Sequence, residues 1–210
     1  SASNYGAILA TPKLAWRDFN VVEYLSSACQ LPVSFDTDVN AAALAEHYWG
    51  EGQDVTDFIY MTVGTGIGCG AMVNGRLLHG AMHPEMGHML VPQDTRLDFF
   101  AGGCPFHQTC LEGLASGPAI QERWQVASAL DLPPNHEAWD LEATYLSYGL
   151  MNMACILSPQ RIIMGGGVMK QSHLFPMIRE KLLSRLAGYL PYLSKETIDR
   201  FVVPPGLSHH

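Results

Sequence analysis

The sequence predicts an α/β fold in two domains, and three observations carry that prediction. Short apolar runs of strand type alternate with stretches of helical periodicity, and glycines stand where strands pass into helices. Of the 210 residues, 48% are hydrophobic, enough for a sizeable core. With 20 Gly and 13 Pro the composition is that of a folded chain and not of a low-complexity one.

The elements come in order along the chain. Residues 21–31 (VVEYLSSACQL) carry apolar side chains at helical spacing, and Pro32 stops them; Val33–Ser34–Phe35 reads as a short strand. Residues 41–49 form an Ala-rich helix with Asp38 and Asn40 at its mouth, followed by a loop through Gly50, Gly52 and Asp54. FIYMTV (58–63) is a buried strand, and the glycine-spaced run to Val73 is a second. Asn74–Gly75 signals a hairpin, with residues 76–79 returning. Between Pro92 and Cys110 periodicity fails, as in a long loop that something must hold. Helices are expected near 118–130, 141–157 and 168–187, and strands at RIIM (161–164) and 201–203, the former running into Gly165–Gly166–Gly167. A boundary near Gly50–Asp54 divides the chain into a first domain, 1–50, and a larger second one, 51–207.

The formal charge of −8, from 12 basic and 20 acidic residues, argues against a nucleic-acid or anionic-membrane partner. No run of 18 apolar residues appears, and the opening residues lack the pattern of a secretory signal. Five cysteines are an odd number for a disulfide framework and suit a reducing, cytoplasmic setting. His209 and His210 read as the remnant of a purification tag.

Three constellations bear chemistry. In FDTDVNAAALAE (35–46) a carboxylate meets a helix N-terminus, where it serves either as a cap or as a general base at a cleft. In TVGTGIGCG (62–70) a strand runs into Gly64, Thr65, Gly66 and Gly68; this is a tight β-turn or a phosphate loop whose backbone amides approach an oxyanion. His88 is followed by Cys104, His107 and Cys110 in CPFHQTC: two Cys and two His within 23 residues, a spacing that fits tetrahedral Zn2+. The alternatives are buried thiols with incidental histidines, or a Cys104–Cys110 disulfide. Glu85, His88 and Glu112 together offer acceptors for a polyol, while His79 and His83 read as surface or supporting groups.

Taken together these segments resemble the ROK family of sugar kinases and sugar-responsive repressors, and within it the zinc-containing bacterial fructokinases. The resemblance runs over YGAILATPKLAW, FDTDVNAAALAE, YMTVGTGIGCGAMVNGRLLHG, HPEMGH, CPFHQTCLEGLASGPAI and IIMGGGVM, in the family's order. It implies an actin-like ATPase (ribonuclease H-like) fold and ATP-dependent phosphorylation of a hexose, most simply fructose to fructose 6-phosphate. Asp38 then matches the catalytic base; Asn40, Glu85, His88 and Glu112 match sugar contacts. Gly64, Thr65 and Gly66 match the second phosphate loop, and Gly165, Gly166, Gly167 and Val168 the corner under the adenosine. His88, Cys104, His107 and Cys110 match the zinc ligands, and Mg2+ accompanies ATP. Family members often form dimers. The Thr11–Lys13 segment resembles fructokinase sequences and receives no role.

Two departures set the expectation for the chain itself. The Asp-x-Gly-Gly-Thr motif of the family's first phosphate loop is not found, and the PPGL segment (204–207) matches the start of a stretch that runs on into a closing helix. The chain therefore reads as a fragment, its first domain incomplete, with weak or no turnover alone. Alternative readings are a sugar-binding repressor of the same family, or a kinase for glucose, mannose or an N-acetylated amino sugar.

Overall fold

The computed structural model describes residues 5–8, 14–81 and 83–207. The Thr11–Lys13 segment and the terminal His209 and His210 lie outside these residues. The chain divides into two compact units, the first ending at Thr37 and the second beginning at Asp38. The Gly50–Asp54 turn lies inside the second unit, because the helix before it packs on the second unit's sheet.

In the first unit β1 (Ala7–Ile8) pairs antiparallel with β2 (Phe19–Asn20), and α1 (Val21–Cys29) comes next. Asn20 caps α1 by accepting from the Glu23 amide at 3.1 Å, and the helix ends at Gln30 in the left-handed conformation, two residues before Pro32. The strand expected at Val33–Phe35 is not formed. A strand needs a ladder partner, and here the Phe35 amide donates instead to the Tyr5 hydroxyl at 3.1 Å.

The second unit is a three-layer α/β/α arrangement. Its elements are α2 (Asp38–Trp49), β3 (Phe58–Val63), β4 (Ile67–Val73), β5 (Arg76–Leu77), α3 (Leu111–Ala115), α4 (Gly117–Trp124), α5 (Ala138–Leu157), β6 (Arg161–Gly165), α6 (Leu174–Leu186), α7 (Ile198–Phe201) and β7 (Val202–Val203). The sheet order is β5-β4-β3-β6-β7, with β3 antiparallel to β4 and parallel to β6. Alternation along β3 feeds both faces. Ile59, Met61 and Val63 join the main core beneath α5 and α6, with Trp139, Leu146, Leu150, Ile178 and Leu182. Phe58 and Tyr60 point the other way, packing with Ala43 of α2, Val55, Met72, Ile163 and Val203. Each such fully buried large apolar side chain contributes about 1.5–3 kcal/mol.

Asn74 and Gly75, at φ 52° and 70°, make the type I′ turn that their identities predict. The helix expected over 168–187 is a 3-10 turn, Val168–Lys170, and then α6. Pro176 explains the break: it is tolerated as the third residue of α6 but would cost an interior hydrogen bond in one continuous helix. The helix expected over 118–130 stops at Trp124, where Gln125 turns left-handed, and Ser128 then caps a separate 3-10 turn. Glu46 fastens the turn that follows α2 and one distant segment to the end of that helix: Oε2 accepts from the Glu51 amide at 2.7 Å and the Gly206 amide at 3.0 Å, and Oε1 from the Leu207 amide at 3.2 Å. Among the described residues no helix is long and apolar enough to cross a membrane.

Candidate active site and metal centre

The long loop closes on a compact cluster. Cys104 and Gln108 form a bridge, Gln108 takes φ 52°, and the Gly103 amide donates to the Gly113 carbonyl at 2.8 Å, so CPFHQTC folds into a knuckle. Leu90 bridges to Cys110, bringing His88 alongside. The ligand atoms of His88, Cys104, His107 and Cys110 all lie within 4.8 Å of one another. His88 Nδ1 is 3.7 Å from Cys104 Sγ and 3.5 Å from Cys110 Sγ, and His107 Nδ1 is 3.8 Å from Cys104 Sγ. Two ligands at ordinary Zn–S and Zn–N lengths and a tetrahedral angle stand about 3.6 Å apart, so these three separations are compatible with a shared Zn2+, while separations within the quartet run up to 4.8 Å. All five cysteines are free thiols. Burial opposes ionisation of Cys104, yet the amides of His107 and Phe106 and the Cys110 thiol draw its thiol below the usual range. Cys110 is pushed up, first by burial and then by Cys104 and Glu112.

His88 reaches the cluster through a short 3-10 turn, Met86–His88, which packs directly on β4: a Cβ at Gly87 would stand 1.8 Å from the Ile67 carbonyl oxygen. Only glycine permits that approach. The other ring nitrogen, Nε2, faces Glu112 Oε1 at 3.9 Å.

Two glycine turns meet at the carboxyl ends of the parallel strands β3 and β6, the end of an α/β sheet where ligands bind. The β3 turn is closed by the Gly64 amide on the Gly66 carbonyl at 2.9 Å, and its Gly64 carbonyl accepts from the Gly117 amide at 2.7 Å. Gly166, at φ 95°, lies against the Val63 backbone, and the Gly167 amide approaches within 3.9 Å of the Cβ position of Gly64. Thr65 and Gly167 are exposed at the two tips and Val168 is buried beneath. Gly68 does not belong to the turn. It sits on β4 against Val39, and Gly70 lies against the Val39 carbonyl, so both admit the N-terminus of α2.

That N-terminus presents Asp38 as an exposed first residue, its Oδ1 accepting from the Val39 amide at 2.9 Å. Asp38 is close enough to add, with Glu46, to the burial that raises the Tyr60 phenol. The Tyr60 hydroxyl in turn lies 2.7 Å from the Cβ position of Gly165. Asn40 is fully buried, with Nδ2 3.4 Å from His79 Nε2. Glu85 is exposed and paired with His83 at 2.8 Å.

One group of residues that sequence reasoning missed holds the first half of the loop. Asp98, buried, accepts from Arg123 Nε at 3.0 Å and from the Tyr145 hydroxyl at 2.5 Å, while Gln93 Nε2 donates to the Phe100 carbonyl at 2.7 Å. The partners lie 25 and 47 residues from Asp98, beyond the reach of any local signal.

The fold and these sites together define the class. The family model described as "ROK family" matches residues 2–200, and the chain belongs to that family. Its fold is the actin-like ATPase fold of that family's sugar kinases. Among its relatives, a fructokinase of Pediococcus pentosaceus is 40% identical over 98% of this chain and 70% of that protein. A fructokinase of Streptococcus mutans serotype c is 36% identical over all of this chain and 70% of that one. The solved ROK hexokinase of Thermus thermophilus superposes with a TM-score of 0.75 at 27% identity, covering 91% of this chain and 66% of that one.

Proposed function

We propose that this chain carries the base, the sugar-side metal centre and one phosphate turn of an ATP-dependent hexose kinase, with fructose as the sugar and fructose 6-phosphate as the product. The observation that carries the reading is the meeting of the β3 and β6 glycine turns beside Glu112 and His88: anion-accepting backbone adjoins a cluster of sugar-accepting side chains. The two fructokinase relatives support fructose in particular.

In this reading Asp38 accepts the proton of the sugar hydroxyl as that oxygen bonds to the γ-phosphorus and the bond to the ADP oxygen breaks. The Gly64–Gly66 turn faces the phosphates, and Gly165–Val168 underlie the adenosine. Mg2+ bound with the nucleotide supplies charge neutralisation at the phosphates. The zinc ligands His88, Cys104, His107 and Cys110 fix the His88 ring so that Nε2 faces the sugar together with Glu85, Asn40 and Glu112. Thiolate ligands persist in a reducing compartment, so a cytoplasmic location belongs to the same proposal.

The test is ADP release from Mg-ATP and fructose by the chain, zinc supplied, beside Asp38→Asn. Release above background is expected to drop about 100-fold or more in the variant, the scale of one general base, while fructose binding by calorimetry changes little. Equal release above background by both proteins removes Asp38 from the role. Tighter binding of glucose, mannose or an N-acetylated amino sugar than of fructose overturns the substrate.

A further inference from the structure

The turn after β3 is gripped at both ends by one short stretch of chain. At its start the Gly64 carbonyl accepts from the Gly117 amide at the head of α4. At its end the Ile67 amide donates to Glu112 Oε2 at 3.0 Å, from the second residue of α3. Leu111, fully buried, and the knuckle residue Cys110 fix where α3 begins. A Cβ at Gly66 would stand 2.6 Å from Glu112 Oε2, so glycine at 66 makes room for this carboxylate as well as for an anion. The other oxygen, Oε1, is the one facing His88. A single carboxylate thus spans from the metal-centre side of the site to the phosphate side.

We propose that Glu112 is a positioning residue for the phosphate turn: by holding the Ile67 amide it sets the shape of residues 64–67, so nucleotide affinity depends on it even when no sugar is present. This rests on the kinase reading above and adds a role that contact with sugar does not supply. The turn's terminal amides, those of Gly64 and Ile67, are committed within the chain, which leaves the exposed tip at Thr65 to meet the phosphates. Releasing Ile67 frees one end of that tip.

Two measurements on the full chain, both without sugar, test this on wild type, Glu112→Ala and Glu112→Gln. The first is hydrogen exchange at the Ile67 amide; the second is calorimetric affinity for the Mg2+ complex of a non-hydrolysable ATP analogue. Glu112→Ala is expected to speed Ile67 exchange and to weaken nucleotide binding, each about tenfold, the scale of one hydrogen bond to a charged acceptor. Glu112→Gln keeps an acceptor oxygen and is expected to restore both to within about threefold of wild type, which separates positioning from general loss of structure. Unchanged Ile67 exchange in Glu112→Ala, or failure of Glu112→Gln to rescue it, overturns the proposal. Faster Ile67 exchange with unchanged nucleotide affinity in Glu112→Ala likewise overturns the proposal and leaves the kinase reading standing.

Discussion

Asp98 shows how much a single carboxylate holds in this chain. It is 4% exposed, and burial by itself would raise its carboxyl; the Tyr145 hydroxyl, the Arg123 guanidinium and the Phe100 amide outweigh that and hold it below the ordinary range. A folded-state value lower than the unfolded one means stability that is present above the unfolded carboxylate value and lost as pH falls through the folded one. Asp98→Asn should therefore cost about 3 kcal/mol in urea titrations at neutral pH, the scale for orphaning one member of a buried ion pair. That gap should persist down to pH 5 and narrow only below about pH 4. Glu142 of α5 has the opposite sign: burial pushes its carboxyl well up, with Arg123 opposing, so its contribution is present at low pH and is lost as pH rises. Neither residue was legible in the sequence, since an acid on a loop and an acid in a helix look solvated until their distant neighbours are known. The gathering of His88, Cys104, His107 and Cys110 was legible because soft and imidazole ligands are compressed into CPFHQTC with one His upstream.

At the scale of elements the runs FIYMTV and RIIM name their strands almost to the residue, because a strand buried on both faces must be apolar throughout. Helix ends were less legible: Pro176 and the left-handed Gln125 divide what periodicity joins. The alternate glycines of β4 misled more instructively. They suggest a phosphate loop extending to Gly68, yet Gly68 and Gly70 exist to let α2 lie close on the sheet with Asp38 at its leading end. Gly70→Ala would put its Cβ 2.4 Å from the Val39 carbonyl oxygen. Backbone must then shift, and a loss of about 1–3 kcal/mol in thermal unfolding is expected. Gly167→Ala, with no atom within 4 Å of the new Cβ, should leave stability within about 0.5 kcal/mol. Equal melting temperatures for both variants would show that α2 can give way at no cost.

Across the whole molecule, the second unit gathers its long loop at two places, the buried Asp98 cluster and the His88–Cys110 cluster proposed to bind zinc. Metal removal should therefore loosen one end and leave the other. In Cys104→Ala, zinc content by elemental analysis should fall well below one per chain, and limited proteolysis should cut near 102–109 while sparing 93–100. Full zinc content in that variant would remove Cys104 from the ligand set. The placing of the first division was not legible from composition, because α2 reads as the tail of the first unit and only its packing on β3 and β4 assigns it to the second. The position of β3 at the centre of the sheet also has a kinetic side. Its partner β4 arrives within a few residues, through one tight turn, but its other partner pairs Phe58 with Arg161 and comes only after the loop and three helices have been made. During synthesis one edge of the most apolar strand thus stays open for about a hundred residues of chain growth, on the order of 5–20 s at ordinary elongation rates. For that interval the nascent chain carries an adhesive edge that its finished form conceals.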